Sequence, residues 1–234
     1  MINKIKKIIS KKNKTKIICL TAYSKNFATE VDKYADITLV GDSLGSVLYN
    51  YETTRKVTLN NMIEHSKSVR MGIKKSLMVV DMPYKTFLNK KEALRNSIKV
   101  IKETKCDAVK LEGGSKIKKI IRHLVRNNVP VMGHIGVLPQ SVKGKFKYKG
   151  KAEKEKKQLL NDAKLLQNLG VFSIVLECVE SGTAKMITKL IKIPTIGIGS
   201  SKYCDGQVLV TDDLLGLNET NIRFVKKFVN LKKI

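Results

Sequence analysis

Arginine is scarce in this chain of 234 residues, with six against 40 lysines. Arginine is the side chain suited to bidentate phosphate and base contacts, and the lysines are spread over every predicted helix and loop instead of forming a stripe. The formal charge of +26 therefore reads as a solvated lysine-rich surface, able to draw anionic small molecules, and it argues against a nucleic-acid function. Metal-like cysteine spacing is also missing. Cys19, Cys106, Cys178 and Cys204 form no Cys-x-x-Cys pair, which predicts reduced thiols in a cytoplasmic protein. No apolar run approaches membrane-spanning length, and the amino terminus alternates isoleucine with lysine without a continuous signal-peptide core, so no membrane association is expected. There is no linker of interdomain length and no Gly-x-Gly-x-x-Gly turn after the first strand.

What the sequence does contain is a regular alternation of strands and helices. Ile2, Ile5, Ile8 and Ile9 fall on one face of an amphipathic helix over 2–12, predicted to lie on the domain as a lid. Apolar, β-branched runs at 16–21, 37–40, 77–83, 108–112, 129–136, 172–178, 193–199 and 207–210 read as eight strands. Helices are predicted between them, with Thr58 and Asn89 as N-caps, and a last helix over Thr220 to Val229. Leu44 to Thr54 reads as a loop whose tyrosines and threonines either close over a ligand or pack the rim. The pattern predicts an α/β fold, one (β/α)8 TIM barrel over 1–234, with a doubly wound sheet as the alternative.

Chemistry in parallel α/β folds sits at the C-terminal ends of the strands. Side chains alternate across a strand, so Val40 and Asp42, Val79 and Asp81, Ala108 with Lys110 and Glu112, Met132 and His134, and Val175 and Glu177 are each expected on one face. Five successive strands then aim ionisable groups at one mouth. Asp42, Asp81 and Glu112 form an all-oxygen set suited to a hard cation such as Mg2+, and no His/Cys set resembles a zinc site. Lys110 would neutralise charge on a substrate, or else pair with an aspartate. His134 reads either as a satisfied core histidine or as a member of the site. Glu177, without a basic neighbour in sequence, is the best candidate general base. Glu64, Glu92 and Glu103 belong to helix faces.

Many ordered motifs carry a resemblance over nearly the whole chain. They include Leu20-Thr21-Ala22-Tyr23, Leu39-Val40-Gly41-Asp42-Ser43-Leu44-Gly45, Asp81-Met82-Pro83, Val109-Lys110-Leu111-Glu112-Gly113-Gly114, Val131-Met132-Gly133-His134-Ile135-Gly136, Pro139-Gln140-Ser141-Val142 and Asp205-Gly206-Gln207-Val208-Leu209-Val210. In these the sequence resembles the ketopantoate hydroxymethyltransferases. The resemblance implies a TIM-barrel enzyme that transfers a hydroxymethyl group from 5,10-methylenetetrahydrofolate to 3-methyl-2-oxobutanoate, giving 2-dehydropantoate for pantothenate and coenzyme A synthesis. It implies Asp42 and Asp81 as Mg2+ ligands, with Glu112 completing the site directly or through water. It further implies Asp42, Ser43, Asp81 and Lys110 as substrate contacts, Glu177 as proton acceptor, an accessory His134, and assembly as a homodecamer. Ser24, Lys56, Ser200-Ser201 and the short lysine-rich segment 143–150 depart from the family pattern. Two other readings are another Mg2+-dependent keto-acid enzyme of aldolase or mutase type on the same barrel, and a basic binding protein without catalysis.

Overall fold

A computed structural model describes residues 2–142, 147–218 and 222–233. Helix α1 (Ile2–Ser10) leads into β1 (Ile17–Thr21), α2 (Lys25–Val31), β2 (Ile37–Val40), α3 (Leu44–Tyr49), α4 (Leu59–Gly72), β3 (Leu77–Asp81), α5 (Lys90–Thr104) and β4 (Ala108–Glu112). The chain continues through α6 (Lys118–Arg126), β5 (Val131–Gly136), α7 (Glu153–Asn168), β6 (Ser173–Glu177), α8 (Ser181–Leu190), β7 (Thr195–Ile198), β8 (Gly206–Leu209) and α9 (Thr211–Leu214). All eight strands pair in parallel and in sequence order, and β8 returns to β1 to close the barrel. The expected barrel is the observed fold.

Strand alternation splits the core into two layers. Leu39, Val79, Ala108, Met132 and Val175 fill the barrel interior, while Val40, Val80, Val109 and Leu111 pack outward against the helices. Both predicted caps form: Thr58 Oγ1 accepts from Asn61 N at 3.1 Å, and Asn89 Oδ1 accepts from Glu92 N at 3.0 Å.

Helix α1 closes the N-terminal end of the barrel, as its apolar face predicts. Ile8, 2% exposed, joins the interior cluster with Ile17, Ile37 and Leu77. The polar side of α1 and the turn after it reach residues that immediately precede strands. Lys4 Nζ donates to Ser76 O at 2.8 Å, Lys11 pairs with Asp36 at 2.6 Å, and Lys12 pairs with Asp205 at 2.7 Å. Asp205 also accepts from Thr195 N at 2.8 Å, so its carboxylate ties β7, β8 and the amino terminus together. Lys12 and Asp205 are both buried, and removing one partner strands the other. Lys12→Ala should cost about 3 kcal/mol in urea unfolding. A loss below roughly 1 kcal/mol would mean the pair is solvated like a surface one.

Two elements differ from expectation. Leu44 to Tyr49 is helical, although Gly45, Ser46 and Val47 are weak helix formers. Burial of Leu44 and the close approach of Gly45 to Val57 and Tyr51 outweigh propensity, and Asn50 ends the helix in a left-handed conformation. The helix predicted over Thr220 to Val229 does not form in its described part, residues 222–229; 219–221 lie outside the described residues. Its backbone instead docks on the end of α9, with Phe228 N donating to Leu214 O at 2.9 Å and Leu231 N to Leu215 O at 3.1 Å. A pattern of Ile222, Val225 and Val229 mimics a helical face, but these contacts hold the segment irregular.

Candidate active site

Asp42, Ser43, Asp81, Lys110, Glu112, His134 and Glu177 all border one cavity of about 1220 Å3 at the C-terminal mouth of the barrel. Four strands deliver their ionisable residues by alternation, each placed beyond an interior residue of the same face: Val79 below Asp81, Ala108 below Lys110 and Glu112, Met132 below His134, Val175 below Glu177. Asp42 arrives differently. Val40 faces outward into the helix layer, so the expected shared face is wrong for this pair. The chain leaves β2 at Gly41 and turns Asp42 inward. A side chain on Gly41 would stand 2.7 Å from Ser43 Oγ, which folds back to bond Tyr23 Oη at 2.8 Å.

The ionisable groups form a connected row. Asp42 N donates to Asp81 Oδ2 at 3.2 Å, and Asp81 Oδ1 pairs with Lys110 Nζ at 2.8 Å. Lys110 Nζ lies 3.4 Å from His134 Nδ1, and His134 Nε2 lies 3.2 Å from Glu177 Oε2. An ammonium has only protons to offer, so Nδ1 is the accepting nitrogen and the imidazole proton sits on Nε2, the nitrogen nearer Glu177, without an aligned hydrogen bond to it. Burial and then the Lys110 charge hold His134 below its ordinary range, against the pull of Glu177, so the ring is neutral.

Gln140 is the residue that alternation could not reveal, because it lies in a loop. Its side-chain Nε2 donates to Asp42 Oδ2 at 2.8 Å and to Met82 O at 3.0 Å, and its backbone N–H donates to Glu112 Oε2 at 3.1 Å. Arg55 Nε in turn donates to Gln140 O at 2.8 Å and lies over the Tyr84 ring. The only sequence signal was the Pro139-Gln140-Ser141-Val142 motif. Tyr49 and Tyr51 pack against each other, and Tyr49 Oη bonds His65 Nε2, whereas Thr53 and Thr54 border the cavity. That segment thus packs the rim with its tyrosines and lines the cavity with its threonines.

Three buried carboxylates here face one buried ammonium. Burial, then repulsion from Asp81, pushes the Asp42 carboxyl up to about 7. Burial pushes Glu112 up to about 9; Lys110 opposes this, and Asp42 and Glu177 add to it. The cluster is therefore short of positive charge, as a cation site is before its ion is counted. Among the described residues, no three His, Cys, Asp or Glu side chains are gathered to enclose a metal by themselves. The neighbouring carboxylates of Asp42 and Asp81 fit a hard cation that keeps water and ligand oxygens as its remaining partners.

These shifts set a pH dependence. Asp42 and Glu112 bind protons in the native state at a pH where the unfolded chain has released them, so their contribution to stability falls as pH rises through about 7 and about 9. His134, with its pKa lowered, acts in the opposite sense and only on the acid side. In chelator-treated protein the melting midpoint at pH 9 should lie at least roughly 4 °C below that at pH 6. Mg2+ should recover most of the difference. A midpoint that rises over this interval would contradict the charge balance described.

Residues 2–234 match the family described as ketopantoate hydroxymethyltransferase. The chain belongs to the ketopantoate hydroxymethyltransferase family. It is 65% identical over 233 residues to the 3-methyl-2-oxobutanoate hydroxymethyltransferase of Pelagibacter ubique, an alignment covering 100% of this chain and 90% of that one. It is 47% identical over 221 residues to the 3-methyl-2-oxobutanoate hydroxymethyltransferase of Rhizobium etli, covering 93% of this chain and 81% of that one. Among solved structures, 2,3-dimethylmalate lyase of the PEP mutase/isocitrate lyase superfamily superposes with a TM-score of 0.67 over 88% of this chain and 79% of that one, at 11% identity. At that identity the likeness is one of fold. The chain is thus an enzyme of this family on a closed parallel barrel. No helix among its described residues is long and apolar enough to cross a membrane.

All four cysteines are buried and free. Burial raises Cys178, next to the candidate base, to about 11, with the Glu177 charge adding to the shift, and this fits a packing role.

Proposed function

We propose that the chain transfers a hydroxymethyl group from 5,10-methylenetetrahydrofolate to 3-methyl-2-oxobutanoate, forming 2-dehydropantoate. The observation that carries this reading is the carboxylate of Glu177, held 3.2 Å from a neutral imidazole at one end of a row that ends in paired carboxylates and a lysine. A general base, an imidazole N–H beside it and charges that hold a keto acid stand within one cavity.

The keto acid's carboxylate and keto oxygens would face Lys110, Ser43 and the Asp42–Asp81 pair. Mg2+, held by Asp42 and Asp81 with Glu112 completing the site directly or through water, would supply the positive charge that acidifies the C–H beside the keto group. Glu177 takes the C3 proton. The His134 Nε2–H, fixed by Lys110 at the other ring nitrogen, stands beside the accepting oxygen. Water cleaves the two C–N bonds of the methylene bridge, its two hydrogens ending on the folate nitrogens and its oxygen on the one-carbon unit, released as formaldehyde. C3 then adds to that carbonyl carbon, and Glu177 returns its proton to the new alkoxide. Lys110 offsets the negative charge that develops meanwhile.

The test is incubation of the protein with Mg2+, both substrates and a search for 2-dehydropantoate. Deuterium uptake at C3 of the keto acid, without folate, reads the proton-abstraction half separately. A chain that forms no 2-dehydropantoate and leaves C3 unlabelled would sink the proposal. A cytoplasmic homodecamer belongs to the same reading, and light scattering of the purified chain is expected to give that mass.

A further inference from the structure

The second half of the cavity takes no part in this chemistry. Beyond the charged row it runs past the ends of β7 and β8 to α9 and the chain that follows. Its walls there are largely apolar, with Ile198, Val210, Leu217 and Phe224, and carry Asn218 and Lys232 as polar members. The Phe224 ring lies against the backbone of Gly199, where a Cβ would come within 2.5 Å of a ring carbon, and Gly199 has a φ of +54°. Only glycine allows both the turn and the ring to occupy that place. One carboxylate borders this part of the cavity. Asp213, on α9, is 6% exposed, and its Oδ1 accepts from Asn218 Nδ2 at 2.6 Å. Burial raises its carboxyl above the ordinary range, although Lys227 works against the shift.

Asn218 supplies one donor to this buried carboxylate, and a ligand edge with paired N–H groups could supply more. Two adjacent N–H donors on the edge of a flat heterocycle match its two oxygens. The 2-amino group and N3–H of a 2-amino-4-oxopteridine are such a pair, and its face is an aromatic surface suited to Phe224.

We propose that Asp213 anchors the pterin ring of the reduced folate by accepting from its 2-amino group and N3–H, with Phe224 covering the ring face. The inference rests on the proposed one-carbon donor. Asp213 stands near Tyr23, whose hydroxyl bonds Ser43 beside Asp42. A ring held there therefore lies near the Ser43 and Asp42 end of the charged row.

The test compares wild type with Asp213→Asn and Phe224→Ala, reading tetrahydrofolate affinity by calorimetry and C3 deuterium uptake by the keto acid without folate. Asp213→Asn should bind tetrahydrofolate about ten- to a hundred-fold more weakly, as expected for loss of a charged hydrogen-bond pair, with deuterium uptake within about two-fold of wild type. Phe224→Ala should weaken tetrahydrofolate binding as well and spare deuterium uptake. Tetrahydropterin, which lacks the aminobenzoyl-glutamate tail, should compete in wild type and fail in Asp213→Asn. Equal tetrahydrofolate affinity in Asp213→Asn and wild type would overturn the anchor, as would parallel loss of binding and deuterium uptake in that variant. Wild type that labels the keto acid but binds no tetrahydrofolate would instead count against the donor in the proposed function.

Discussion

Glu177→Gln should lower C3 deuterium uptake and overall turnover together, each by about 100- to 10,000-fold, the usual range for a general base. The amide keeps the size of the side chain and can still set its oxygen beside His134 Nε2, so the cavity and the fold are spared. What is lost is the ability to take a proton. Keto-acid binding should stay within a few-fold of wild type, because Glu177 lies at the other end of the row from the Asp42–Asp81 pair. Deuterium uptake at the wild-type rate in this variant would remove Glu177 from the base role. Loss of turnover with uptake preserved would move its role to the carbon–carbon bond step.

Lys110→Met should damage both stability and chemistry. Lys110 is 6% exposed, and burial works against its charge, yet Asp81, Glu112 and Asp42 outweigh that and keep the ammonium protonated. Methionine fills much of the same space without charge. Asp81 then loses its 2.8 Å partner, and three carboxylates remain in one buried cluster, which should cost about 3–5 kcal/mol near neutral pH. The sign with pH follows: the deficit shrinks below pH 7, where Asp42 and Glu112 are protonated, and grows as pH rises through about 7 and about 9. The variant also loses the donor at His134 Nδ1, so the ring proton is no longer fixed on the side facing Glu177. Turnover should fall by at least about 100-fold, with a raised KM for the keto acid. Urea unfolding at two pH values, read beside steady-state kinetics, checks both parts. A stability loss independent of pH would mean that packing, not charge, is what Lys110 supplies.

The barrel and most of its charged residues were legible because a strand writes its geometry into the sequence with a period of two. Lys110 and Glu112 are two apart in one strand and point the same way, and so do the interior residues beneath Asp81, His134 and Glu177. Where the chain is not a strand, that rule fails. Asp42 follows a turn and faces opposite to Val40, although both were expected on one side. Gln140 is in a loop, and its value comes from reaching Asp42, Glu112 and Met82 at once, contacts far apart in sequence. The ion pair of Lys110 with Asp81 was one of two expected alternatives; its link to His134 was not foreseen. Leu44 to Tyr49 and the segment after α9 show tertiary contacts overriding local preference in opposite directions, one forming a helix from weak formers and the other withholding one. Asp213 lies between the eighth predicted strand and the last predicted helix, where no periodicity singled it out.

The ion pair between Lys12 and Asp205 also constrains the order in which the molecule assembles. It joins residues 193 apart in the chain, across the seam where β8 meets β1. Closing so long a loop is entropically expensive and gains nothing until the intervening strands have paired. The Lys12 contact therefore forms late, after β8 has been made and seated. Substitutions of Lys12 should accelerate unfolding while leaving the refolding rate nearly unchanged.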